Sequence, residues 1–167
     1  LYLNIGQHAK AENLFKRSLE IKKQTLGPEH PDVAKSLINL AAYYDELFDF
    51  AKAESLYKKS LAISEKSLGS EHPLTATILN NLGILNKNKG DFAKAESYLK
   101  KSLAIRKKAF GDYHFDVVST LNDLATLYAT TGKYDQALHY YKQSEEIDDN
   151  LIDDVMSFTS EMQKQRF

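Results

Sequence analysis

Between residues 31 and 48, Leu37, Leu40, Ala41, Tyr44 and Phe48 recur three and four positions apart with polar residues between them. That spacing predicts an amphipathic helix with one apolar stripe. The stripe returns at Leu79, Leu82 and Gly83, and again at Leu121, Leu124, Ala125 and Tyr128. A second helical pattern follows each first one: Phe50, Ala53, Tyr57 and Leu61, then Phe92, Ala95, Leu99 and Leu103, then Tyr134, Ala137 and Tyr141. Strand-like alternation is found nowhere. Gly27, Gly69 and Gly111 stand where a left-handed C-cap would end the second helix. Pro31 and Pro73 open the next helix, where a missing N–H does no harm.

The pairs repeat. LGPEHPDVAKSLINLAAYY, residues 26–44, returns 42 residues later as LGSEHPLTATILNNLGILN and after another 42 as FGDYHFDVVSTLNDLATLY. Ala9-Lys-Ala-Glu12, Ala51-Lys-Ala-Glu54 and Ala93-Lys-Ala-Glu96 superpose on the same offset. One helix pair has too little area to bury its stripe, so pairs must stack into a continuous core. The expected fold is therefore all-α: a superhelical solenoid of antiparallel helix pairs. The repeat array spans 1–150, with a partial repeat at 1–30 and repeats at 31–72, 73–114 and 115–150. Residues 151–167 read as a C-terminal capping helix or connector, because Leu151, Val155, Phe158 and Met162 keep helical spacing. Leu1-Tyr2 aligns with Tyr43-Tyr44, so the chain is expected to start inside a repeat of a longer protein. Small residues at Ala41, Gly83 and Ala125, and at Ala11, Ala53, Ala95 and Ala137, should let helices approach closely. Gly83→Leu is expected to overpack the stack and lower stability by about 1–3 kcal/mol, measured by chemical denaturation.

These residues carry a resemblance. The tetratricopeptide pattern W-x2-L-G-x2-Y followed by A-x3-F maps onto Leu37, Leu40, Ala41, Tyr44, Ala53 and Tyr57, and onto Leu121, Leu124, Ala125, Tyr128, Ala137 and Tyr141. The middle copy departs at Asn86, Trp and the late Pro are absent, and the period is 42 rather than about 34. The LG-x-EHP junctions and the N-L-A of the first helix resemble the tetratricopeptide repeats of kinesin light chains, a type that bacterial and archaeal signalling proteins also carry. The resemblance implies a protein-interaction scaffold that binds a peptide segment or a partner protein on its concave face. SFTSEMQKQRF, residues 157–167, resembles the connector leading into a CHAT domain, a caspase-like peptidase. That second resemblance implies the alternative of a recognition arm for such a peptidase, associated with an RNA-guided CRISPR effector complex, with catalysis located beyond Phe167.

Composition narrows the chemistry. With 43% hydrophobic and 27% charged residues the chain reads as globular. The absence of cysteine excludes disulfides, thiolate catalysis and cysteine-ligated zinc within it, and a cytoplasmic location fits best. No apolar run approaches the roughly 18 residues of a membrane helix, and no basic-then-apolar leader opens the sequence. His30, His72 and His114 occupy equivalent junctions, so stacking separates them by about 10 Å or more, too far to share a metal ion. They are expected to cap helices or pack the junctions. His8 and His139 have no fixed partner, and no metalloprotease, nucleophile-elbow or phosphate-loop motif occurs. Asp148, Asp149, Asp153 and Asp154 lack the turning glycine of a calcium loop and read as a solvated helix end. No catalytic residue, cofactor or metal ion is expected.

Two surfaces remain. Lys16-Arg17, Lys58-Lys59 and Lys100-Lys101, joined by Arg106-Lys107-Lys108, would align into a basic ridge. Without interleaved aromatics it reads as solvated and Glu-paired, and nucleic acid is not the expected partner. The net charge is −1, but residues 1–133 hold 19 basic and 15 acidic side chains and residues 134–167 hold 3 and 8. The first helices should line the working groove. Lys35, Ile38, Ala42 and Asp45 lie on a strip turned away from the buried leucines, beside Thr77, Asn80, Ile84 and Lys87, and beside Ser119, Asn122 and Thr126. Asn39, Asn81 and Asp123 flank the strip, where they either meet a ligand or bond between helices. Amides can donate to and accept from an extended peptide backbone. Self-association through the two ends of the array is the other expected contact.

Overall fold

The computed structural model describes residues 5–164, with side chains described for His8 and for residues 10–152. Among these residues run seven helices and no strand: α1 (Ile5–Leu26), α2 (Pro31–Glu46), α3 (Phe50–Leu68), α4 (Pro73–Asn88), α5 (Phe92–Phe110), α6 (Phe115–Thr130) and α7 (Tyr134–Lys164). Their boundaries have local causes that recur with the repeat. The imidazole Nδ1 atoms of His30, His72 and His114 accept from the amides of Asp32, Leu74 and Asp116 at 3.1, 3.0 and 3.1 Å. Each thereby satisfies one of the unpaired first-turn donors of α2, α4 and α6. Asp49 and Asp91 cap α3 and α5 in the same way, accepting from the amides of Lys52 and Lys94.

Two expectations about turns are corrected. Gly69 and Gly111 do hold positive φ, 96° and 84°, but with ψ of 159° and 176° the chain leaves the helix extended instead of curling into a left-handed cap. That region is open essentially to glycine alone. Phe48 does not belong to the stripe of α2. It lies past the helix end at φ 59°, where the other repeats have Gly90 and Gly132, and its ring is 77% exposed. The three-and-four spacing simply continues through the turn, and Phe48 packs edge-on to Phe50 with centroids 6.0 Å apart.

Short turns fold α3 back on α2, α5 on α4 and α7 on α6, and each second helix also packs on the next first helix. The first helices approach one another in the order α2, α4, α6, whereas among the described residues no two second helices come as close. The stack therefore curls with the first helices on its inner side. One apolar cluster joins Leu19 of α1, Leu37 and Tyr44 of α2, Tyr57 of α3 and Leu82 of α4, and a second joins Leu99 of α5 to Tyr128 of α6 and Ala137 of α7, so neighbouring hairpins share their cores. A smaller third cluster, Val117, Val118, Leu121 and Ile147, lies within the α6–α7 hairpin. Within hairpins, the buried hydroxyls of Ser60 and Ser102 each donate at 2.8 Å to a carbonyl of the paired first helix, that of Ala34 or Ala76. Gly83 leaves room for Leu99: a Cβ there would lie 2.6 Å from Leu99 Cγ.

Between hairpins the repeat uses a tyrosine. Tyr44 donates to Glu12 at 2.7 Å and Tyr128 to Glu96 at 2.8 Å, each reaching back to the preceding second helix. In the middle copy Asn86 is buried and donates to its own helix at the Leu82 carbonyl. Glu54, released from a tyrosine, pairs instead with Lys89, besides the Lys58 one turn on that has its equivalent in the other copies. A surface ion pair thus stands in for a missing hydroxyl.

Arg106 departs from the basic ridge in which its charge had placed it. It occupies the register of Ser64, on the face of α5 turned to α6, and is 5% exposed. Its Nη1 donates to the Asp116 carbonyl at 2.8 Å and to Thr120 Oγ1 at 2.6 Å. Burial lowers the guanidinium pKa, and the charges of Asp116 and Asp123 oppose that fall. At the far end, α7 runs unbroken through residue 150, so the segment from 151 continues the last second helix. Neither Gly nor Pro interrupts that stretch. Side chains beyond Ile152, including all of the segment compared with the CHAT connector, lie outside the described residues.

Candidate functional site

The inner face of the curl is built from positions that recur on α2, α4 and α6. Lys35, Thr77 and Ser119 occupy one row, Asn39, Asn81 and Asp123 a second, Ala42, Ile84 and Thr126 a third. All nine are exposed or half-buried. The row formed by Ile38, Asn80 and Asn122 is set differently from the expectation. One residue is about 100° of helical rotation, enough to carry these side chains from the groove towards the packed sides of their helices. Ile38 packs on the core. Asn80 is 5% exposed and donates through Nδ2 to Asp123 Oδ2 at 2.7 Å, tying α4 to α6. Asn122 is half-buried and accepts from Ser144 of α7 at 2.7 Å.

Hydrogen bonding on this face leaves acceptors in surplus. Thr77 spends its hydroxyl proton on the Pro73 carbonyl and Thr126 on that of Asn122. Asp45 Oδ1 and Asn80 Oδ1 are buried without a donor. Burial pushes the Asp45 carboxyl above the usual carboxylate range, against the pull of a hydrogen bond from Asn88 of α4. Asp123 is likewise raised by burial, opposed by Asn80 and by the charges of Lys87 and Arg106. Lys87 is half-buried, while Lys35 is exposed and pairs with Asp32 at 2.9 Å.

Sequence reasoning missed four contributors. Phe15, Tyr43 and Glu46 join Asn39 and Ala42 around an open hollow of about 250 Å³ at the α1–α2 end of the face. Asn88 braces Asp45. Glu46 and Asn88 lie one turn beyond Ala42 and Ile84, a spacing that could have found them; Phe15 comes from another hairpin and carries no such signal.

The ridge on the outer helices is largely paired. Lys16, Lys58 and Lys100 bridge Glu12, Glu54 and Glu96 one turn back, at 2.6, 2.7 and 2.6 Å. The three junction histidines use Nδ1 for capping. Among the described residues no three His, Asp or Glu side chains converge as metal ligands, and no helix is long and apolar enough to cross a membrane.

The model of the tetratricopeptide repeat matches residues 1–66, 49–108 and 74–150, most of the sequence. The chain belongs to the tetratricopeptide repeat family. Solved structures agree with this assignment. BtubC (BKLC) from P. vanneervenii superposes with a TM-score of 0.77 at 25% identity, over 87% of this chain and 58% of that one. A putative kinesin light chain of Podosopora anserina with nearly identical TPR-like repeats gives 0.69 at 27% identity, over 87% and 69%. The apo form of RapI gives 0.75 at 26% identity, over 90% and 53%. The chain thus spans little more than half of BtubC and of RapI. No curated protein sequence matches it. As a tetratricopeptide solenoid with kinesin-light-chain-like neighbours, the chain has the architecture of a protein–protein interaction scaffold.

Proposed function

We propose that the concave face of α2, α4 and α6 binds an extended segment of a partner protein, and that the chain performs no reaction itself. The observation that carries this reading is the nine-residue face itself. Its three rows of amide, hydroxyl and small apolar side chains repeat at one position per hairpin and stay open, while the same helices bury their opposite stripe. A backbone running across the three helices meets a like set of groups at each hairpin. The contacts are preformed, because capped helices and a shared core hold them, so little ordering opposes binding.

Selection of peptides from a random display library on the immobilised chain tests this. Peptides recovered that way are expected to lose about 5- to 30-fold in affinity on an Asn39→Ala, Asn81→Ala double variant, the effect of one or two hydrogen bonds. The melting temperature should hardly move, since both side chains are solvent-facing. Peptides indifferent to that variant but lost on Lys59→Ala, Lys101→Ala would put the working surface on the outer helices and defeat the proposal.

A further inference from the structure

Charge is distributed unevenly among the helices of this solenoid. The groove-lining helices α2, α4 and α6 together carry two lysines against five carboxylates, a net −3. Of the outer helices, α1, α3 and α5 carry fifteen basic against five acidic side chains, a net +10, whereas α7 carries two against eight, a net −6. The chain's overall −1 conceals this, because the acidic α7 offsets much of the basic charge on the three outer helices before it.

The hydrogen bonding points the same way. Thr77, Thr126 and the Asn80 amide direct their donors at the chain itself. Two oxygens at the seams between first helices, Asp45 Oδ1 and Asn80 Oδ1, have no donor, and Asn80 is almost wholly buried. Both seams hold a carboxylate that the chain neutralises only in part: Asp45 by one amide, Asp123 by one amide and the nearby charges of Lys87 and Arg106. A face negative in sum, with an only partly compensated carboxylate at each seam, is complementary to a segment that brings positive charge. The basic α1, α3 and α5 repel such a segment; of the two acidic surfaces left, the groove offers equivalent positions on three stacked helices, whereas α7 offers a single helix.

We infer that the partner segment held in the groove is cationic, with lysine or arginine side chains directed at the Asp45 and Asp123 seams. This rests on the groove reading above and adds the partner's chemistry to it. Lys87, on α4 beside Asp123, is the chain's own occupant of that field and competes with the incoming cation.

Three fluorescein-labelled peptides decide the matter: alternating Lys–Ala, Glu–Ala and Ser–Ala of equal length, titrated against the chain, with amide chemical shifts locating each site. The Lys–Ala peptide should bind roughly 10-fold tighter than Ser–Ala and perturb α2, α4 and α6. Asp45→Asn with Asp123→Asn should cut its affinity about 5- to 10-fold and that of Ser–Ala distinctly less. Lys87→Gln, at a half-buried site outside the core, should raise the Lys–Ala affinity and gives an arm independent of the carboxylates' part in folding. Equal binding of the three peptides within the groove overturns the cationic preference and spares the groove reading. Stronger binding of Glu–Ala in the groove does the same. Shifts confined to the outer helices α1, α3, α5 and α7 overturn both.

Discussion

Tyr128→Ala is expected to lower stability by about 3–5 kcal/mol, the range for truncating a large buried aromatic side chain. Tyr128 is 1% exposed. Its ring stacks on Tyr140 with centroids 5.4 Å apart and planes 6° apart, Lys133 Nζ lies 5.6 Å from its centroid, and its hydroxyl donates to Glu96. Alanine would open a cavity at the α5–α6–α7 join and leave Glu96 with Lys100 alone. Tyr128→Phe separates the two losses: keeping the ring, it should cost only about 1.5–3 kcal/mol, the worth of a hydrogen bond to a charged group. The middle repeat suggests a rescue. There asparagine replaces tyrosine and Lys89 takes the glutamate, at a position filled by Thr131 in the third repeat. Adding Thr131→Lys to Tyr128→Asn should recover part of the loss in a urea-denaturation double-mutant cycle. Strict additivity would show that the hydroxyl and the lysine are not interchangeable.

Arg106→Ala is the second large effect, about 2–4 kcal/mol, because it empties a buried site and strips the Asp116 carbonyl and Thr120 hydroxyl of a partner. Arg106→Met, which keeps the aliphatic stem, should lose distinctly less, since part of what arginine supplies is packing along its methylenes. Lys107→Ala, one residue on and paired only with exposed Asp112, serves as the control and should move stability by less than about 1 kcal/mol. Should Arg106→Ala melt like Lys107→Ala, the guanidinium is not a structural tie.

The fold was readable because each of its signals is local and recurs. The apolar stripes, the LG-x-EHP junctions and the small residue at Gly83 each specify one contact, and a period of 42 residues repeats the statement until chance is excluded. The histidine caps could be expected from their place before Pro31 and Pro73. The errors share a different origin. Ile38, Asn80 and Asn122 were given to the groove because a stripe three and four apart fixes a face only to within about one residue's rotation, and that angle separates an open strip from a seam. Phe48 was drawn into a helix because apolar spacing does not register where a turn begins. Arg106 was grouped by charge with its neighbours, although its alignment with Ser64 already marked it as inward-facing. The uneven distribution of charge among the helices was present in the sequence throughout, but a running total along the chain averages it away.

The asymmetric contacts of the stack bear on how it can move. First helices approach more closely across each seam than second helices do, so flexing pivots about the inner edge. A small rotation between hairpins there opens or shuts the outer side like the bellows of a concertina, while the inner edge scarcely lengthens. The surface assigned to binding therefore rides on the hinge line, where displacement is least, and a captive strand could keep its register while the array around it gives under load.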